Sequence, residues 1–202
     1  MKQVLHKAGG KIDAVYFPGG GVWSITNVMS DGRMVEVATI GNEGVVGITA
    51  FFGGDVSVGD AFMQVPNGDA QSMTLSAFRR ELDRRGPFYD VIGRYAQALQ
   101  ALIMQSAACF SMHTVEERCS RWLLMTHDRV GKDEFQLTHE FLGYMLGTRR
   151  PTVSIVLGTL DKAGVIRNGT KRITVTDRKK LEEASCECYQ VVKSTFDRLL
   201  PP

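Results

Sequence analysis

Leu137-Thr138-His139-Glu140-Phe141-Leu142-Gly143-Tyr144-Met145-Leu146-Gly147, followed by Thr148-Arg149-Arg150-Pro151-Thr152-Val153, is the stretch on which the reading of this chain turns. Its first half carries both ends of a short helix. Thr138 can cap the N-terminus through its hydroxyl, Glu140 suits the positive first turn, and Gly147 supplies the turn out. Leu142, Met145 and Leu146 form the apolar side. A second helix begins at Arg149–Thr152, because Pro151 is tolerated only in a first turn, where its missing N–H has no intrahelical partner. Val153, Val156, Leu157 and Leu160 bury one side of it, and Gly164 ends it. Two short helices joined by a tight glycine turn match a helix-turn-helix, whose second helix enters the DNA major groove with its N-terminal residues leading.

Arginine can donate two parallel hydrogen bonds to guanine, so Arg149 and Arg150 are placed to read a base or grip the backbone. Two cations at a helix N-terminus oppose the helix dipole, so helix stability does not account for them. Downstream, Val165-Ile166-Arg167 and Lys171-Arg172-Ile173-Thr174-Val175 flank Asn168-Gly169-Thr170. Asn-Gly between β-type runs signals a hairpin, here a basic wing. The candidate DNA-contacting set is therefore Thr138, His139, Thr148, Arg149, Arg150, Thr152 and Ser154 from the helices, with Arg167, Lys171 and Arg172 from the wing. From Gln136 to Lys180 nine basic residues stand against three acidic ones, a surplus of six in a chain of net charge +2. The remainder is thus at −4, and a basic segment on a mildly acidic body is the footprint of a module that meets a polyanion. A solvated basic face without a partner would give the same count.

Upstream of this unit, Val115–Arg129 reads as a helix that Gly131-Lys132-Asp133 breaks. Before it, Pro87 opens a longer one. Phe88, Ile92, Tyr95, Leu99, Leu102, Ser106 and Cys109 alternate at spacings of four and three, a 3.5-residue repeat that marks a seam facing another helix. These seven residues are expected to form a dimer interface, with Ala98, Ala101, Ala107 and Ala108 allowing close approach beside it. An amphipathic helix covering a sheet would show the same pattern.

Residues 1 to about 82 follow another regime: 13 of the 21 glycines precede Arg85. Ala14–Phe17, Val22–Ile25, Met34–Ala38 and Ala61–Val65 read as strands. Pro18-Gly19-Gly20-Gly21, Ser30-Asp31-Gly32, Gly53-Gly54-Asp55 and Pro66-Asn67-Gly68-Asp69 read as turns, which together suggest an antiparallel sandwich or barrel. The expected fold is α+β in three parts: an N-terminal β-roll over 1–86, a dimerisation helix over 87–112, and a winged helix-turn-helix over 113–202.

With those residues in view, the chain resembles the Crp/Fnr family of bacterial regulators over nearly its whole length. Leu137–Leu142, Leu146–Val153 and Leu160-Asp161-Lys162-Ala163-Gly164-Val165-Ile166 are similar to its DNA-binding signature. Val15-Tyr16-Phe17-Pro18, Asp31-Gly32-Arg33 and Ile40-Gly41-Asn42-Glu43-Gly44 resemble its β-roll, which is related to cyclic-nucleotide-binding domains. The resemblance implies a homodimer on double-stranded DNA, RNA polymerase as a partner, and an unidentified small-molecule effector at the roll. It also implies that Arg150 occupies the base-reading position, while the usual glutamate is replaced by Pro151 and a second family arginine falls on Ile155. Nucleotide-binding relatives hold ribose and phosphate with a Gly-Glu pair and an Arg followed by Ser or Thr. Here the corresponding residues are Gly47-Ile48 and Val58-Gly59-Asp60-Ala61, and no arginine lies between Arg33 and Arg79. No response to cyclic nucleotides is expected. The chain starts close to the first expected strand, so a short N-terminal piece of the usual roll is expected to be missing.

Other function classes find less support. Met1-Lys2-Gln3-Val4-Leu5-His6 has no apolar export segment, and no apolar run approaches the roughly 20 residues that span a bilayer. A cytoplasmic chain without a membrane partner is expected, with Cys109, Cys119, Cys186 and Cys188 reduced. A metal-dependent enzyme on the roll would need several histidines, yet His6 is the only one in the first 112 residues. Neither an enzyme nor a cofactor is expected, and no metal ligands are assigned: His113, His127 and His139 are read as capping or solvated, the cysteines as small buried residues or free thiols. The alternatives are a redox or metal sensor on the same scaffold and a protein-interaction module.

Overall fold

The computed structural model describes residues 4–66 and 68–201. Met1-Lys2-Gln3 of the N-terminal reading and Asn67 of the Pro66–Asp69 turn lie outside them. The first body is a roll of antiparallel strands. In one sheet β1 (Val4–His6), β3 (Val22–Val28), β4 (Met34–Ile40) and β5 (Asp60–Val65) stand in the order β1-β5-β3-β4. In the other, β2 (Ala14–Pro18) pairs with β6 (Ala70–Thr74). Inward side chains of both sheets, among them Val15, Val22, Trp23, Ile40 and Val65, fill the space between them. The four expected strands are present; β1 and β6 are additions. At the Ser30-Asp31-Gly32 turn, Gly32 takes φ +81° and the Met29 N–H donates to the Arg33 carbonyl at 2.7 Å.

The roll closes with a helix that the glycine-rich reading of residues 1–82 did not anticipate. Thr74 caps α1 (Leu75–Asp83) through its hydroxyl, and Phe78 and Leu82 turn inward. Two inward residues per nine are too few to declare a helical period in sequence.

Helix α2 (Pro87–Met112) starts with Pro87 in its first turn, as expected. Its predicted seam is placed differently. Ile92, Tyr95, Leu99, Leu102, Ser106 and Cys109 are all buried within the chain itself, and Phe88 packs its ring 5.7 Å from Phe78 and 6.4 Å from Phe17. The Tyr95 hydroxyl donates to the Val45 carbonyl of the roll, and Ser106 accepts from Arg121 at 2.8 Å. The 3.5-residue seam is therefore the inner face of α2, the amphipathic alternative, and not a face left free for a second copy. A period cannot tell which body covers it.

Helix α3 (Val115–Val130) begins in a reciprocal capping box between Thr114 and Glu117 and ends at Gly131 in the left-handed conformation. Two C-terminal helices complete the molecule: α6 (Arg178–Glu183) beside α3, and α7 (Cys188–Leu199) along the C-terminal half of α2. No helix among the described residues is long and apolar enough to cross a membrane.

The roll and the C-terminal body meet at a buried carboxylate. Glu36 of β4 accepts from Trp122 Nε1 of α3 at 2.8 Å and from the Ser24 hydroxyl at 2.6 Å. Ser24 also contacts Gln64. Burial pushes the Glu36 carboxyl up to about 7, against the opposing pull of its Ser24 and Trp122 hydrogen bonds and the charges of Arg129 and Arg121. Between about pH 4.5 and 7 the folded chain therefore holds a proton that the unfolded chain has lost, so this group's contribution falls as pH rises through that window. Glu36→Gln should remove that slope. Relative to the variant, the wild type should lose about 2–3 kcal/mol of unfolding free energy between pH 5 and pH 8, read by urea titration at both values.

Candidate nucleic-acid interface

The helix-turn-helix is built from α4 (His139–Met145) and α5 (Arg150–Lys162). Thr138 caps α4, accepting from the Phe141 N–H at 3.2 Å, as its position suggested. The turn out of α4 is fixed twice. The Thr148 N–H donates to the Gly143 carbonyl at 2.9 Å, and Gly147 adopts φ +59°, where a Cβ would also come within 3.3 Å of Val35. Only glycine meets both demands without strain. Arg149 then stands at the N-cap of α5 with extended backbone and no side-chain cap, and Pro151 fills the first turn. Val153, Val156, Leu157 and Leu160 are buried as predicted.

This packing sends Arg149, Arg150, Pro151 and Ile155 outward, Ile155 at 72% exposure. The sequence located Ile155 only through the resemblance. Thr148, Arg149, Arg150 and Thr152 also line one wall of an open groove of about 1230 Å³, whose other walls are the β3–β4 hairpin and α2.

The wing is a three-stranded sheet in the order β7-β9-β8, with β7 (Glu134–Gln136), β8 (Ile166–Gly169) and β9 (Arg172–Val175). Its turn is shifted from the predicted Asn168-Gly169-Thr170. Gly169 pairs with Arg172 in the ladder, leaving Thr170 and Lys171 at the tip, with Lys171 at φ +57°. Asn168 is held instead by α4. His139 places Nδ1 2.8 Å from the Ser154 hydroxyl and Nε2 3.0 Å from Asn168 Oδ1, so one ring ties α4, α5 and the wing together.

The ten predicted contact residues thus divide. Arg149, Arg150, Arg167 and Lys171 are exposed cations that enter no ion pair among the described residues. Thr148 and Thr152 are half-buried at the front of α5. Thr138 is engaged in its cap, and His139 and Ser154 in the three-way tie. Arg172 pairs with Glu134 at 3.0 Å. Some of the basic surplus is structural as well: Arg178 binds Asp128 at 2.7 Å and Glu182 at 3.0 Å, and Lys180 binds Asp177. Tyr189 closes the first of these groups, receiving from Arg178 and donating to Asp128 at 2.8 Å.

Residues 117–184 match the Crp-like helix-turn-helix domain family. The chain carries a Crp-like helix-turn-helix domain on a Crp/Fnr fold. It superposes on FixK2 of Bradyrhizobium japonicum with a TM-score of 0.79 at 17% identity, covering 92% of this chain and 93% of that one. A CRP-family transcriptional regulator of Thermus thermophilus gives 0.72 at 21% identity, covering 91% and 93%. At the sequence level, the transcriptional regulator SdrP of the same organism is 37% identical over 59 residues, which is 29% of each chain.

The His139 tie makes a direct prediction for this Crp-like domain. His139→Ala should lower the unfolding free energy by about 1–2 kcal/mol through the loss of two side-chain hydrogen bonds. It should also speed hydrogen exchange in the wing more than in α2, a difference that exchange mass spectrometry would read.

Proposed function

We propose that this protein is a dimeric, sequence-specific transcription regulator that acts in the cytoplasm, is not an enzyme, and reads double-stranded DNA through α5. The observation that carries the reading is the set of four exposed cations without an ion pair among the described residues, Arg149 and Arg150 at the front of α5 and Arg167 and Lys171 on the wing, all on one helix-turn-helix unit. Arg150 reads a guanine edge, Arg149 grips backbone or a neighbouring base, and the wing cations hold phosphate. Ile155 replaces a charged reader with an apolar one, which suits a thymine methyl group. RNA polymerase is the partner through which bound DNA becomes a change in transcription.

Selection of bound sequences from random DNA tests this. The wild type should enrich a two-fold-symmetric site whose half-sites are centred about 34 Å apart. The Arg149→Ala/Arg150→Ala variant, folded by circular dichroism, should lose the motif. Unchanged enrichment by that variant would sink the reading.

The face for pairing is the outer side of α2. Gln97, Ala101, Met104, Ala108 and Ser111 repeat at spacings of four and three along it, and Met104 is 66% exposed. Small alanines flanking an exposed methionine suit a close helix pair. Met104→Glu should convert the dimer to monomer in sedimentation and weaken DNA binding, whereas Met104→Leu should change neither.

The roll is proposed not to respond to cyclic nucleotides. Asp60, which the resemblance aligns with the phosphate-binding stretch of nucleotide-binding relatives, accepts from the Ala8 N–H at 2.8 Å, and a carboxylate in that stretch repels a phosphate. Another small-molecule effector remains the proposed input.

A further inference from the structure

Three of the four cysteines and one histidine converge where α2 ends. Cys109 and His113 lie one helical turn apart at the C-terminus of α2, while Cys186 and Cys188 bracket Glu187 at the start of α7. Their ligand atoms all lie within 4.8 Å of one another. The three cysteines form a buried cluster of their own, separate from the main hydrophobic core.

The spacings suit one tetrahedral ion. With metal–sulfur bonds near 2.3 Å and metal–nitrogen near 2.0–2.1 Å, tetrahedral edges are about 3.8 Å between sulfurs and about 3.6 Å between sulfur and nitrogen. Cys109 and Cys186 stand 3.5 Å apart, and Cys188 stands 3.6 Å from His113 Nδ1.

The surroundings are those of a ligand set. His113 turns Nδ1 to the sulfurs and Nε2 to the Glu187 carboxylate at 3.1 Å, the carboxylate–histidine arrangement that fixes tautomer and ring orientation at metal sites. Gln105 Nε2 donates to the Cys188 sulfur at 3.0 Å. Arg121, 8% exposed and without an ion pair among the described residues, lies beside Cys109. Three thiolates, a neutral imidazole and a divalent ion sum to −1, which balances that buried cation. Access is short, since His113 is partly exposed and Glu187 stands in solvent.

We propose that Cys109, His113, Cys186 and Cys188 bind a single divalent, thiophilic ion, zinc by the chemistry of the donor set. The ion cross-links the C-terminal end of α2 to the start of α7, closing the C-terminal body against the helix. This site does not depend on the DNA-binding reading, and its test needs no DNA.

The full chain, purified under reductant and stripped with chelator, is titrated with Zn(II) against a chromophoric competitor and, separately, with Co(II). One ion per chain is expected, with thiolate-to-cobalt charge transfer, tetrahedral visible bands and a raised melting temperature. Cys119→Ala, outside the site, should bind as the wild type does. Glu187→Gln should weaken zinc binding about 10- to 100-fold, the usual cost of losing an outer-shell partner. His113→Gln should weaken it further and diminish the visible bands. Both alter partly exposed residues, so they report even if the buried Cys109→Ser and Cys188→Ser variants fail to fold. Folded wild type with four titratable thiols and no stoichiometric zinc would overturn the proposal, as would zinc affinity untouched by both surface variants. A Cys109–Cys186 disulfide that persists under reductant would overturn it as well.

Discussion

Helix α2 has to bury one continuous stripe against two unlike bodies, and the rest of the molecule is arranged around that demand. Its first half, through Phe88, Ile92 and Tyr95, seals the open side of the roll. Its second half, through Leu102, Ser106 and Cys109, is met by α3 and α7. Burying that stripe removes apolar surface from water along the 26-residue helix, the main favourable term that holds it in place. It also makes α2 the common wall of both halves.

Polar groups at that junction determine geometry more than they add stability. Glu36, Ser24 and Trp122 form a hydrogen-bonded bridge between β4 and α3 in a fully buried place. Such a bridge gains little over an apolar isostere, but it penalises every arrangement in which a partner is left unsatisfied. The Arg178–Asp128–Tyr189 group, its ion pair partly exposed, links α3, α6 and α7. In the DNA-facing unit, the His139 ring sets the angle between α5 and the wing, and so the spacing of Arg149 and Arg150 from Arg167 and Lys171. These devices draw on polar residues other than the four exposed cations Arg149, Arg150, Arg167 and Lys171.

Several elements were legible residue by residue because local chemistry decides them. Pro87 and Pro151 each begin a helix, Gly131 and Gly147 each end one, and the buried positions of α5 follow its period. The start of the recognition helix, and with it the pair Arg149 and Arg150, needed no tertiary information. Short strands such as β1 and β7, three residues each, carry too little pattern to read and exist because a neighbour supplies the pairing. The wing turn narrowed to Thr170 and Lys171 for the same kind of reason: His139 claims Asn168, and the ladder takes Gly169.

The sequence by itself determined the boundaries of α2 to α5, the basic helix-turn-helix and the strand-rich N-terminal body, since caps, prolines and periodicity act within a few residues. Only the tertiary structure decided which side of α2 faces inward, which basic residues stay free, and that Cys109 and His113 meet Cys186 and Cys188. The physical reason is distance along the chain. A hydrophobic period states that a face will be buried without naming its cover. Thiols more than 70 residues apart carry no mutual signal until α7 folds back along α2 and sets them within one ion's reach.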